Sequence, residues 1–222
     1  MTDNMPALLV QCRQAALTFD QGPRAVVAVH GTDLDIRVGD RLAVVGPSGS
    51  GKSSLLHLLA GLEQPTKGTV ARAKSLTPLT TGLVFQSDSL IPALSVLENT
   101  ALPLVLAGRS ETAAQETARA ALQRVGIGML AARLPQEISG GQAQRVAVAR
   151  VLAQSPVMIL ADEPTGRLDH ATGGQVLDCL LQAADHSGAA LVVTTHDPAV
   201  ATRLGTRCAM RDGRLLPVKE TS

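Results

Sequence analysis

The apolar and polar positions along this 222-residue chain fall into runs with two different periods. From Thr32 to Val38, polar residues alternate with Leu34, Ile36 and Val38, as in a strand with one buried face. After a Gly39-Asp40 turn, "RLAVVG" (Arg41 to Gly46) holds a continuous apolar run, the pattern of a strand covered on both faces. "GLVF" from Gly82, "VMILADE" from Val157 and "ALVVTTH" from Ala190 read as further short strands. Helical patterns run from Lys52 to about Ala60, stopped by Gly61 and then Pro65, and from Glu111 to Gly126, alanine-rich and closed by its glycine. Others lead from Glu137 to about Gln154 and from His170 to Asp185, and Asp212-Gly213 between short apolar runs predicts a hairpin. Two helices in succession with no strand between them predict a helical lobe, roughly residues 90–155, inserted into an α/β core. No repeat, low-complexity tract or linker breaks the chain, so residues 1–222 are expected to form one domain.

Composition narrows this only a little. Hydrophobic residues at 45% and charged residues at 18% are ordinary for a globular domain. A net charge of +1 gives no bulk electrostatic reason to bind nucleic acid, and no such partner is expected. Cys12, Cys179 and Cys208 are odd in number and far apart, which speaks against a disulfide framework or a zinc site and suits a reducing compartment. No secretory pattern opens the chain, and no stretch approaches the ~18 consecutive apolar residues of a membrane span. If the protein works at a membrane, another chain supplies the spans.

Four segments carry chemistry. "GPSGSGKS", from Gly46 to Ser53, fits G-x-x-x-x-G-K-[ST] between a buried strand and a helix. The backbone amides of such a loop wrap phosphates, Lys52 reaches the terminal phosphates, and the Ser53 hydroxyl takes Mg²⁺. Asp162 and Glu163 end a buried strand, where an open parallel sheet presents ligand-facing groups. There Asp162 would hold Mg²⁺ through water and Glu163 would polarise the attacking water. His196 ends another such strand, within reach of a terminal phosphate. The fourth segment, "EISGGQAQRVAVAR", puts Gly140 and Gly141 in the first turn of a helix, where each costs about 1 kcal/mol relative to alanine. Ser139 and Gln142 have capping-box spacing, but that leaves the two glycines without a reason.

Together these segments resemble the ATP-binding-cassette (ABC) ATPases over nearly the whole chain. In family order they are the phosphate loop "GPSGSGKSS", the Q-loop "VFQ" at Gln86, the signature "ISGGQ", "ILADEP", the D-loop "GRLD" ending in Asp169, and "TTHD" with His196. The resemblance implies an α/β P-loop NTPase with a mostly parallel core sheet, an N-terminal antiparallel β lobe and an inserted helical lobe. It implies hydrolysis of ATP with Mg²⁺ by a homodimer that sandwiches two nucleotides. Gly46, Pro47, Ser48, Gly49, Ser50, Gly51, Lys52, Ser53 and Ser54 would bind ATP in cis. Ser139, Gly140, Gly141, Gln142 and Asp169 would meet the second subunit's nucleotide, the bare glycines letting backbone approach its γ-phosphate. Gln86 joins Ser53 and Asp162 at the metal, and Gln86, Glu163 and His196 serve catalysis. Phe19 either stacks on adenine or is a core-facing strand residue.

Three departures stand out. Ile138 replaces the usual leucine, Arg167 occupies a D-loop position where small or amide residues are common, and the segment from Gly61 to Gln86 is short. "FQSDSLIPALSVLENTALPLVLAG" resembles the bacterial subgroup serving lipoprotein release, macrolide export and cell division. That implies a separate integral membrane permease docking near Gln86 to Val96, with Leu90, Ile91, Leu94 and Val96 lining a groove or belonging to the core. The protein would then be cytoplasmic, held peripherally on the inner face of the membrane. Its cassette would drive transport, or act as a mechanical coupler without transport; a soluble ABC ATPase acting on DNA or ribosomes usually needs a second cassette or a long coiled-coil insertion.

Overall fold

The computed structural model describes residues 6–19, 25–85 and 89–217, so Gln86 lies outside the described residues. In chain order the strands are β1 (Leu8–Phe19), β2 (Val26–Arg37), β3 (Arg41–Val45), β4 (Lys67–Arg72), β5 (Thr81–Val84), β6 (Met158–Asp162), β7 (Ala190–Thr195), β8 (Thr206–Arg211) and β9 (Arg214–Pro217). The helices are α1 (Lys52–Ala60), α2 (Val96–Leu106), α3 (Glu111–Arg124), α4 (Gly140–Ala153), α5 (His170–Ser187) and α6 (Pro198–Thr202).

Strands β2-β1-β4 form an antiparallel sheet, and β5-β6-β7-β3-β8-β9 form a second sheet in which every pairing but β8–β9 is parallel. The continuous apolar runs have a simple origin. Successive side chains of a strand point to opposite faces, and here both faces are covered. Leu42, Val44, Met158, Leu160, Ala190 and Val192 enter one core with α1 and the small sheet. Their neighbours Ala43, Ile159, Ala161, Leu191 and Val193 enter the other, with α2 to α5. The β8–β9 turn has Asp212 at φ 47° and Gly213 at φ 73°, two successive left-handed residues as a type I′ hairpin requires.

Among the described residues, three α-helices rather than two lie between β5 and β6. The additional one, α2, contains Pro103, which masks its helical character in the sequence. Its start is a capping box, with Ser95 accepting from Glu98 N–H and the Glu98 carboxylate accepting from Ser95 N–H at 2.7 Å. From inside α2, buried Asn99 holds the preceding loop. Its Oδ1 accepts from Ile91 N–H (2.7 Å), and its Nδ2 donates to the carbonyls of Ile91 (3.0 Å) and Leu94 (2.8 Å). The strand β1, the strand β4 and the short α6 have no counterpart among the individual elements expected from the sequence.

Because β3, β5, β6 and β7 run parallel, their carboxyl ends Val45, Val84, Asp162 and Thr195 share one edge. In register, Val45 pairs with Thr195 and Asp162 with Thr194. The phosphate-loop residues, Glu163 and His196 all follow directly from strands at this edge.

Candidate nucleotide site

The phosphate loop is shaped by close backbone approach. A Cβ on Gly46 would lie 2.1 Å from the Met210 carbonyl oxygen, and one on Gly51 would lie 2.1 Å from that of Ala28, with Gly51 already at φ 99°. Only glycine meets both demands. The loop is fixed by Gly46 N–H donating to Thr195 O (3.2 Å) and by Ser50 O accepting from Gly213 N–H (3.0 Å).

Helix α1 then starts without a side-chain cap, whereas α2, α3, α4, α5 and α6 are capped by Ser95, Ser110, Ser139, Asp169 and Asp197. Its first-turn amides and the positive end of its dipole therefore face the loop, an arrangement suited to phosphate. Lys52 is only 5% exposed, and its Nζ donates to the carbonyls of Gly46 (2.8 Å) and Pro47 (3.0 Å). It also lies 3.2 Å from Glu163 Oε1.

Glu163 reaches that position by breaking the alternation of β6. As the next residue of an extended strand it would point to the face of α4 and α5; at φ 44° it turns aside instead. A non-glycine residue in this region costs on the order of 1–3 kcal/mol, a strain found at functional sites. Its Oε2 meets His196 Nδ1 at 2.8 Å and also accepts from the His196 backbone N–H at 3.4 Å. Asp162, one position earlier, accepts from the Thr194 hydroxyl at 2.5 Å.

A cleft of ≈ 580 Å³ joins Lys52, Glu163 and His196, while Asp162 lies outside its lining. Phe19, Ser48, Gly49, Gly51, Lys52, Ser53, Ser54, Glu163 and His196 line it, with Val26 and Val27 beside Phe19. Phe19 is partly exposed in the cleft wall, and the valines add apolar surface that no sequence motif marks. The donor set suits a magnesium–nucleotide complex. Ser53 and Asp162 offer hard oxygens, and among the described residues no group of three or more His, Cys, Asp or Glu side chains forms a metal cage. Mg²⁺ is commonly held by just such a sparse set, completed by phosphate oxygens and water.

The signature lies elsewhere. None of Ser139, Gly140, Gly141, Gln142 or Asp169 lines the cleft. The capping box at α4 is fully made: Ser139 Oγ accepts from Gln142 N–H (3.3 Å) and Gln142 Oε1 accepts from Ser139 N–H (2.9 Å). The two glycines divide in their reasons. A Cβ on Gly141 would sit 2.1 Å from the Thr172 methyl, so this glycine is required by packing of α4 against α5. A Cβ on Gly140 would meet only Leu168 Cδ2 at 3.8 Å, so the fold of one chain leaves that space open. Asp169 caps α5 through Thr172 N–H (3.0 Å) and the Thr172 hydroxyl (2.7 Å), and these bonds hold its carboxyl below the usual aspartate range. Ser139, Gly140 and Asp169 are thus exposed, while Gly141 is buried beneath them.

Of the apolar residues expected near the Q-loop, Val96 is 0% exposed and belongs to the core, because it opens α2 on its buried side. Leu90 is half-buried against the same core and Leu94 is half-buried, while Ile91 is 41% exposed.

Comparison with known proteins gives the family. The family described as ABC transporter matches residues 29–166, more than half of the chain. The chain belongs to the ABC transporter family. Among curated relatives, the lipoprotein-releasing system ATP-binding protein LolD of Shewanella sp. (strain MR-7) is 38% identical over 97% of this chain and 99% of its own. That of Legionella pneumophila (strain Paris) is 39% identical over 95% and 98%. Among solved structures, the dimeric structure of MJ0796, a bacterial ABC transporter cassette, superposes with a TM-score of 0.83 at 34% identity, covering 93% of this chain and 96% of that one. The same cassette in a post-hydrolysis state bound to ADP and Pi matches equally, with a TM-score of 0.83. The protein is an ATP-binding, ATP-hydrolysing subunit of an ABC transporter, with the fold of that family.

The divided roles of the glycines give a direct test. Gly141→Ala is expected to lose about 1–3 kcal/mol through overpacking against Thr172, lowering the melting temperature by roughly 2–4 °C per kcal/mol. Gly140→Ala is expected to melt at or slightly above the wild-type temperature. Equal melting temperatures for the two variants would contradict the packing assignment.

Proposed function

We propose that the chain is a homodimerising motor subunit in which each ATP is bound by the phosphate loop of one copy and the signature of the other. The observation that carries this reading is the uncapped start of α1 beside Lys52 and Glu163, in a cleft that excludes Ser139 to Gln142. Nucleotide phosphates take over the Lys52 ammonium from the carbonyls of Gly46 and Pro47. Backbone amides between Ser48 and Ser54 surround the phosphates, and Phe19 packs under the base. Ser53 and, through water, Asp162 would hold Mg²⁺, which would neutralise phosphate charge; Gln86 would share that task but lies outside the described residues.

Glu163, released from Lys52, accepts a hydrogen bond from water and orients it towards the γ-phosphate. His196 is held against Glu163 through Nδ1, which leaves its other ring nitrogen for the γ-phosphate. Ser139 and the amides near Gly140 approach the second copy's γ-phosphate, and the open space over Gly140 supports that approach. Gln142 holds the cap in place, and Asp169 steadies the adjoining surface.

The motor acts on a separate integral membrane permease. No helix among the described residues is long and apolar enough to cross a membrane. The subunit sits on the cytoplasmic face of that membrane, and the permease engages the Asn99-held segment from Ile91 to Leu94 through exposed Ile91. Relatives named for lipoprotein release make lipoproteins the cargo class we favour.

Two experiments test these proposals. Glu163→Gln keeps the size of the side chain but orients water poorly, so hydrolysis should slow by at least ~10²-fold, about 2.7 kcal/mol of barrier. With both γ-phosphates retained, the variant should run as a stable dimer on size-exclusion chromatography with Mg-ATP, fall apart with ADP, and lose the dimer when Ser139→Arg is added. A Glu163→Gln chain that stays monomeric in saturating ATP, while the wild type hydrolyses normally, would refute the shared site. Separately, Ile91→Glu should leave melting temperature and ATP affinity unchanged while abolishing co-purification of the permease. Retained co-purification would remove Ile91 from the contact.

A further inference from the structure

The role of Asp162 depends on where its carboxylate points, and one buried hydroxyl governs that. Thr194 is 0% exposed, on β7. It stands directly opposite Asp162 in the parallel β6–β7 register, and both residues project to the face shared by α1 and the phosphate loop. The Thr194 hydroxyl donates to Asp162 Oδ1 at 2.5 Å and accepts from Glu163 N–H at 3.1 Å. The carbonyl of Thr194 accepts from the same N–H, also at 3.1 Å.

We infer that Thr194 is a positioning residue for both acids of the ATPase site. A hydroxyl has one proton to give, and here it goes to a carboxylate oxygen, a short bond that fixes the rotation of its acceptor. With Oδ1 committed to Thr194, Oδ2 is the oxygen left for the metal's water shell. The lone pairs of the same hydroxyl help hold Glu163 in its left-handed backbone conformation, which carries its carboxylate to Lys52.

The fold itself does not ask for this hydroxyl. The β7 residues before it on the same face, Ala190 and Val192, are apolar, and a valine at 194 would fill the same volume without a polar atom to satisfy. The neighbouring Thr195 serves a different end, its hydroxyl accepting from Asp197 N–H (2.9 Å) and its carbonyl from Gly46 N–H (3.2 Å). The pair "TT" before His196 therefore divides between the acids and the loop.

The inference rests on the reading of Asp162 as a magnesium residue, and the test separates the two. Affinity for a non-hydrolysable ATP analogue is measured with Mg²⁺ and with EDTA for wild type, Thr194→Val and Thr194→Ser, alongside kcat. Removing an outer-sphere partner of a metal ligand typically costs 10–100-fold. Thr194→Val should match wild type within about twofold in EDTA, bind roughly tenfold more weakly in Mg²⁺, and show a kcat reduced by roughly tenfold. Thr194→Ser should restore both.

Thr194→Val affinities equal to wild type in both conditions would overturn the inference, as would an equal loss in both. If wild type itself binds no more tightly with Mg²⁺ than with EDTA, and Asp162→Asn changes nothing, the magnesium reading fails and the inference fails with it. Should Thr194→Val not fold, Thr194→Ala carries the same comparison against Thr194→Ser.

Discussion

The site depends on one buried ion pair, Lys52 with Glu163, closed at 3.2 Å where a helix start meets a strand end. Taking two charges out of water costs several kcal/mol each, and their attraction repays this only when further hydrogen bonds satisfy both. Here they do. The ammonium has two loop carbonyls, and the carboxylate has the His196 ring and backbone. Removing either charge alone would leave the other buried without its opposite charge. A phosphate arriving at α1 offers Lys52 a partner of the same sign as the one it holds, so the resting pair keeps the cleft in a form that nucleotide can take over by exchange.

The two cores explain why this pair forms where it does. Alternate residues of β3, β6 and β7 commit the sheet to helices on one face and to α1 with the small sheet on the other. That layering fixes α1 against the strand ends, so Lys52, Asp162 and Thr194 arrive on one side without any loop having to reach for them. Glu163 is the exception, and its left-handed φ is what carries it across. The same layering sends α4 to the opposite face. The signature at its start lies outside the lining of its own chain's cleft, and a second copy is the arrangement we propose to complete it.

Much of this was legible in the sequence, for reasons that can be named. Buried parallel strands declare themselves as short apolar runs because both faces are covered, and helices such as α1 and α3 end at glycines. The phosphate loop is legible because phosphate binding by backbone tolerates few residue choices. Other features were hidden. Pro103 concealed α2, and groove or core stayed open for Val96 because exposure is not encoded locally. The explanation for Gly141 lay 31 positions away in Thr172, beyond any local pattern. Thr194 was invisible as a participant, since a threonine in a strand is ordinary until its register partner is known to be Asp162. Gln86 lies outside the described residues.

The central claim is that one chain carries only half of each ATPase site. Mixing two inactive variants tests it most directly. A Lys52→Ala chain keeps an intact signature, and a Ser139→Arg chain keeps an intact phosphate loop. Each should be inactive alone, and a mixed dimer should contain one complete site. The account predicts that ATP hydrolysis reappears on mixing and scales with the product of the two concentrations at low occupancy. A mixture as inactive as its components, under conditions where the chains are shown to associate, would contradict a site shared between subunits.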